Sequence, residues 1–381
     1  MKSSIASALA SVILLWASIA SAHDASAWGG LFRSSDQGAT WFLASPGTYP
    51  MAAIALAVSP TDGHHLLLAT DVGLLRSHNG GRDWTREAPS VLTGPVFAAA
   101  FDADGRRALV ATGGGLFRSD ADDAWRAARA PRGALPARVI ARGGVPGRAY
   151  LAGWTGFARS NDWGASWTEA AAGLPDAPVT SVLVISEPRE SVHVVVADGL
   201  WSTHDGARTW AKRDMGAGGL DALGRDVRDP ARFWAARGPR LWVSDDGGGS
   251  WRATGATLPE PSASVRGITA MGDIIVVASD RGLFRTTDGG DRWITLEGNL
   301  PAHLEAWPLV RDPSDRERLY AGFSVAPYSE LWRRAADGVG VWRRIDLASL
   351  LGAVAFVILA GVLGAAAAWR LWRHRRAQPI H

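Results

Sequence analysis

The stretch Leu283-Phe-Arg-Thr-Thr-Asp-Gly-Gly-Asp-Arg-Trp293 decides the fold, because the chain writes it again and again. Close copies run over Leu31–Trp41, Leu75–Trp84, Ala158–Trp167 and Leu241–Trp251, with the shared core Ser/Thr-x-Asp-x-Gly-x-x-Trp. Weaker copies end at Trp125, Trp210 and Trp342. The closing tryptophans stand at 41, 84, 125, 167, 210, 251, 293 and 342, so successive copies lie 41–43 residues apart until the last interval of 49. A period near 42 residues is that of a four-stranded propeller blade. Between the copies lie short apolar runs split by turn residues, with no amphipathic helical pattern.

One unit illustrates the strands. Before Trp293 the pattern predicts Val265–Met271, Ile274–Ser279 and Gly282–Thr286, then an outer strand Arg292–Leu296. The motif itself is a hairpin device. Its glycines suit a turn with positive φ. Its carboxylate and hydroxyl can satisfy backbone groups inside that turn, and its tryptophan lays a large ring over the hairpin. The structural positions are therefore Asp36, Trp41, Asn79, Trp84, Asp162, Trp167, Asp205, Trp210, Asp246, Trp251, Asp288 and Trp293.

This pattern resembles the Asp-box, or BNR, repeat of sialidases, sortilin-type receptors, xyloglucanases and the photosystem II assembly factor. The resemblance runs over about residues 28–346 and implies an all-β, single β-propeller of four-stranded blades. Seven blades are favoured over eight. The ring closes in one of two ways: seven complete blades end at Trp342 and leave an extra N-terminal hairpin, or that hairpin joins C-terminal strands and leaves 331–345 as a degenerate hairpin leading onward.

The two ends read as topogenic. Residues 1–22 form a signal peptide, with Lys2, an apolar run and the small-x-small site Ala20-Ser21-Ala22; Ala25-Ser26-Ala27 is a second possible site. The propeller is expected over 23–346. Residues 347–369 carry no charge over about 23 positions, enough for a transmembrane helix. The tail 370–381 holds Arg370, Arg373, Arg375 and Arg376, which places it in the cytoplasm. The expectation is a single-pass protein of the inner (cytoplasmic) membrane with its propeller in the periplasm or outside the cell. Without these arginines and Lys2 the 40 basic residues fall below the 37 acidic ones. The basicity thus belongs to membrane topology and not to a nucleic-acid surface. The chain has no cysteine, which excludes a lipid anchor and any disulfide.

In such a blade the first and third turns share one face, and the second turns and inter-blade links share the other. A ligand funnel would draw on Asp71, Trp154, Asp198, Arg237, Asp280, Arg281 and the segment Phe323–Glu330 with Tyr328. The Arg-rich link Arg126–Arg142 offers a further docking surface. Sialidase chemistry, as the resemblance implies it, needs an arginine triad, a Tyr nucleophile beside an acid, and an acid/base Asp. Tyr328 with Glu330 is the one pair that imitates the couple, and the Arg-Ile-Pro signature is missing. His64-His65 beside Asp62 reads as a solvated turn, and no Cys/His spacing suggests a metal. No cofactor is expected. The reading is a non-catalytic, membrane-anchored scaffold for a protein partner in or at the membrane, such as an assembly or stability factor for a membrane protein complex; the competing reading is a sialidase-like or other glycoside hydrolase.

Overall fold

The computed structural model describes residues 29–337 apart from 49, 51, 121–123, 132, 187–188 and 216–218. The signal peptide, Trp342, the apolar segment 347–369 and the basic tail lie outside the described residues. Among the described residues no helix is long and apolar enough to cross a membrane.

Seven four-stranded antiparallel sheets make a seven-bladed propeller. Six blades use consecutive strands. Their innermost strands are β3 (Ala53–Val58), β7 (Val96–Phe101), β11 (Val139–Arg142), β15 (Ser181–Ile185), β19 (Ala222–Arg225) and β23 (Val265–Met271). In the sixth blade β23 is followed by β24 (Ile274–Ser279), β25 (Gly282–Thr286) and β26 (Ile294–Leu296). These are the limits expected from the repeat, except that β26 starts just after Trp293. The second strand reads Ile-Ile-Val-Val-Ala-Ser and is buried almost throughout, as a strand packed on both faces must be. The outer strand is short and graded, from exposed Ile294 to buried Leu296.

The seventh blade closes the ring. Its order is β2 (Phe42–Leu43), β1 (Gly30–Ser34), β28 (Leu319–Ser324), β27 (Glu305–Arg311). Five residue pairs from Gly30↔Phe323 to Ser34↔Leu319 join the N-terminal hairpin to the C-terminal strands. The first closure, with a complete blade ending at Trp342, is thereby overturned. So is the hairpin expected over 331–345: Tyr328–Ala336 is a helix, α1.

The core is a set of seams rather than one centre. Among the described residues seven buried apolar clusters each join two neighbouring blades, for instance Phe32, Trp41 and Phe323 with Val276, Leu283 and Leu300. The repeat tryptophans fasten these seams. Trp84 Nε1 donates to Ala44 O at 2.8 Å and Trp210 Nε1 to Ala170 O at 2.8 Å, each reaching the preceding blade. Trp125 does the same through the Glu87 carboxylate at 2.7 Å.

Within each repeat turn the acidic residue is consumed locally. In the closing blade, Asp36 Oδ1 accepts from Ser34 Oγ (2.7 Å), Ala39 N (3.0 Å) and Thr40 N (2.9 Å), while Oδ2 accepts from Thr40 Oγ1 (2.6 Å). Asp162, Asp205, Asp246 and Asp288 sit in equivalent nets. Hydrogen bonding that favours the ionised form outweighs partial desolvation and lowers the carboxyl pKa in all five. Asn79 replaces the carboxylate with an amide, whose Nδ2 then donates to Asp83 at 2.7 Å. Positions 37 and 38 and their counterparts take positive φ, which forces Trp163 (φ 51°) and Ala207 (φ 63°) into a conformation normally left to glycine.

His193 on the second strand of the fourth blade is 2% exposed and packs edge-on against Phe233. Burial, with His204 and Arg213 nearby, pushes its pKa down to about 4. A histidine held neutral in the fold and free to protonate when unfolded costs stability as pH falls below about 6.5, and goes on doing so down to about 4. The expected loss over that window approaches ~3 kcal/mol at ~1.4 kcal/mol per pH unit. Urea titrations at pH 7 and pH 4.5 measure it, and His193→Gln should flatten the difference.

Candidate functional site

The seven innermost strands surround a central channel with a cavity of about 220 Å³. Its wall is mostly aliphatic, with Leu56, Leu223 and Ile268 among the lining residues. Among the described lining residues Arg138 and Arg266 are charged, and neither Asp nor Glu occurs. Glycosidic acid/base chemistry in its usual form needs two carboxyl groups facing one bond, about 5–9.5 Å apart. This lining does not supply them.

Glu305, at the start of β27, stands beside the cavity. It is buried, and its Oε1 accepts from Arg266 Nε at 2.8 Å. Its Oε2 accepts from the backbone N–H of Tyr328 at 2.7 Å. A carboxylate thus receives the first free N–H of α1, where the helix dipole also favours negative charge. Pro327 precedes the helix, and its carbonyl accepts from Glu330 N and Leu331 N. Arg333 and Arg334 occupy the last turn. Glu330 pairs with Arg334 one turn on.

α1 lies across the channel mouth on the second-turn face. Tyr328, Leu331 and Trp332 are 3–5% exposed, at the i, i+3, i+4 spacing of one helix face. The helix springs from the seventh blade and reaches the second and third. Trp332 Nε1 donates to Pro136 O at 3.0 Å, in the link between those two blades. Its ring meets Trp154 at 4.8 Å, and Tyr328 meets Phe97 and Trp307, each at 6.4 Å. The Arg138 guanidinium stacks on both helix aromatics, 5.0 Å from Tyr328 and 5.3 Å from Trp332. Burial lowers the Arg138 pKa and raises that of Tyr328.

The sequence-derived candidates separate on this geometry. Tyr328 and Trp154 come together, bridged by Trp332. Tyr328 and Glu330 do not: two residues apart on a helix they point to different faces, one into the mouth and one to Arg334. A buried phenol whose ionisation is suppressed, with its hydroxyl lacking a hydrogen-bond partner, is poorly placed as a nucleophile. Asp71 and Asp280 accept from Ala52 N (3.2 Å) and Ser264 N (2.7 Å), tying second turns to the chain entering their own blades. Asp198 holds Trp201 Nε1 and Lys212 Nζ, each at 2.9 Å. Arg237 and Arg281 are exposed on the same face. Arg138 belongs to the Arg126–Arg142 link read as a docking surface, and its guanidinium lies under the α1 aromatics. Sequence reasoning missed Arg266, Glu305, Trp307 and Trp332. Among the described residues no cluster of three or more His, Cys, Asp or Glu could hold a metal ion.

No family model matches the chain. It is 26% identical over 338 residues to the Neosartorya fischeri probable oligoxyloglucan-reducing end-specific xyloglucanase, an alignment covering 80% of this chain and 37% of that protein. The Niastella koreensis GH74 enzyme superposes with a TM-score of 0.59 at 17% identity, over 74% of this chain and 53% of its own. The GH74 xyloglucanase of Xanthomonas campestris does so at 0.58 and 20%, over 75% and 53%. YCF48 of Cyanidioschyzon merolae superposes at 0.55 and 14%, over 73% of this chain and 97% of its own. A YCF48 structure bound to a D1 peptide gives 0.55 at 16% identity, over 74% and 94%. The chain therefore spans little more than a third of the xyloglucanase relative and about half of the GH74 structures, yet nearly all of YCF48. It shares the seven-bladed propeller fold with enzymes and with a peptide-binding protein alike.

Proposed function

We propose that this protein is a non-catalytic, protein-binding propeller, held at the outer side of a bacterial-type inner membrane by residues 347–369 and engaging a membrane-associated protein partner, as in the assembly or upkeep of a membrane complex. The observation that carries the reading is the occupied channel mouth: α1 covers with its own aromatic face the place where a funnel ligand would enter. Glu305, bonded to the cavity-lining Arg266, is spent on that arginine and on the helix N-terminus. Likeness to YCF48 over nearly its full length adds support. The xyloglucanase likeness sets the competing reading, and the apolar run with its arginine-rich flank supports the anchor.

Purified protein is expected to release no product from fluorogenic sialosides or from xyloglucan oligosaccharides. Tyr328→Phe, which removes a hydroxyl without a hydrogen-bond partner, should leave stability unchanged or slightly raised. Turnover that disappears in Tyr328→Phe or Glu330→Gln would falsify the scaffold reading. Affinity capture from detergent-solubilised membranes should recover a specific membrane protein, and a blank result counts against the proposal.

A further inference from the structure

α1 rests on a surface built by other elements of the propeller. The surface beneath it combines Phe97, Trp154, Trp307 and the flat guanidinium of Arg138, with Glu305 positioned to receive a helix N-terminus. Every part of that surface comes from blades whose strands are complete without the helix. The seventh blade is closed by β1 and β2, and α1 adds no strand to it. What α1 presents to this surface is a short helix with two aromatic side chains one turn apart, the second offering an N–H to the Pro136 carbonyl.

The resident fills this site incompletely. The Tyr328 hydroxyl and Arg138 Nε are buried without hydrogen-bond partners, and such groups weaken the seat of the helix that covers them. Arg138 also has no carboxylate within ion-pair distance among the described residues. A nine-residue helix is, besides, marginal once detached from its surface, so release leads to an unfolded segment and not to a rigid competitor.

We propose that the channel-mouth surface is the partner-binding site of this protein. It would take a partner's amphipathic helix bearing aromatic residues at i and i+4, with α1 as the tethered competitor that must leave first. The inference rests on the protein-binding reading above and names its surface. A partner helix that also brings an acceptor to Arg138 satisfies what α1 leaves open. The tether gives α1 a high local concentration, so the free site is a minor state and apparent affinity is reduced by that fraction.

A disulfide lock tests it. A Cβ built on Gly113 stands 3.5 Å from the Ala335 Cβ, within the span a disulfide bridges, and the chain has no cysteine to interfere. The probe is a fluorescein-labelled synthetic peptide of residues 327–337, followed by anisotropy with the full chain in detergent. The Gly113→Cys/Ala335→Cys protein should bind the peptide when reduced and lose binding when oxidised, with recovery on adding reductant. Tyr328→Ala/Trp332→Ala, which weakens the resident and keeps the surface, should bind it tenfold or more tighter than the unmodified chain. A peptide with both aromatics replaced by alanine should not bind. Equal binding by the oxidised and reduced lock overturns the proposal. So does no binding by the double-alanine protein while its urea transition shows an intact propeller, and so does a disulfide formed between two copies. If the same membrane partner is captured by both lock states, this surface is wrong while the scaffold reading survives; if neither captures one, the scaffold reading itself falls.

Discussion

Phe323→Ala should lower stability by about 3–5 kcal/mol, the range for removing a large buried aromatic. Phe323 is 0% exposed on β28, meets Phe32 edge-on at 5.3 Å, and sits opposite Gly30 in the register that closes the ring. Both the packing of the sixth–seventh seam and the pairing of the two chain ends depend on it. Against a total of about 5–15 kcal/mol for an ordinary domain, this single truncation is severe. Urea denaturation measures it: the midpoint should fall with little change in slope. A comparably large drop is expected from Phe32→Ala. Near-neutral results for both would mean that the ring is not closed by the N-terminal hairpin.

Trp332→Ala should act just as strongly but locally. The ring is 4% exposed, its Nε1 is bonded to Pro136 O, and it lies between Trp154 and Arg138. Losing about 3–5 kcal/mol of contacts from a helix of nine residues should undock it, since a helix this short is marginal by itself and the Tyr328 and Leu331 contacts are only part of its seat. The seven seams contain none of its side chains, so the global urea transition should barely move. Brief trypsin treatment separates the two effects. Arg333 and Arg334 become early cleavage sites in the variant, while the propeller stays intact.

The strands were legible because the repeat carries its own register. A period near 42, with a Ser/Thr-x-Asp turn fixing the third hairpin, places β23 to β25 to the residue. Closure was not legible. Leu31–Trp41 and the unit ending at Trp342 offer similar strand-forming material, and five long-range pairs between β1 and β28 decide between them. No local pattern reports such pairs. α1 was missed for the opposite reason. Counting in blade units imposed a hairpin on 331–345, although Tyr328, Leu331, Trp332 and Ala335 follow helical spacing. The paired reading of Tyr328 and Glu330 went with it, because two positions apart share a side in neither a short helix nor an active site built on one.

A second signal was present and unread. The arginine just before the Ser/Thr of the repeat motif reaches the repeat turn of the next blade. Arg33 Nη1 donates to Gly80 O at 3.3 Å, Arg285 Nε to Gln37 O at 3.1 Å, and Arg159 to Gly206 O. Their repetition at one place in the motif marks them as inter-blade fasteners. Arg138, by contrast, stands outside the repeat, and its role emerges from the two aromatic rings that α1 lays against it.

Hydrogen–deuterium exchange on the full chain in detergent, followed at residues 328–336, bears most directly on the occupied channel mouth. The account predicts that these amides are protected well beyond a free peptide of the same sequence, and that Trp332→Ala removes the protection while β23–β25 keep theirs. Exchange of 328–336 at free-peptide rates in the unmodified chain would contradict it, because the mouth would then stand open to a substrate.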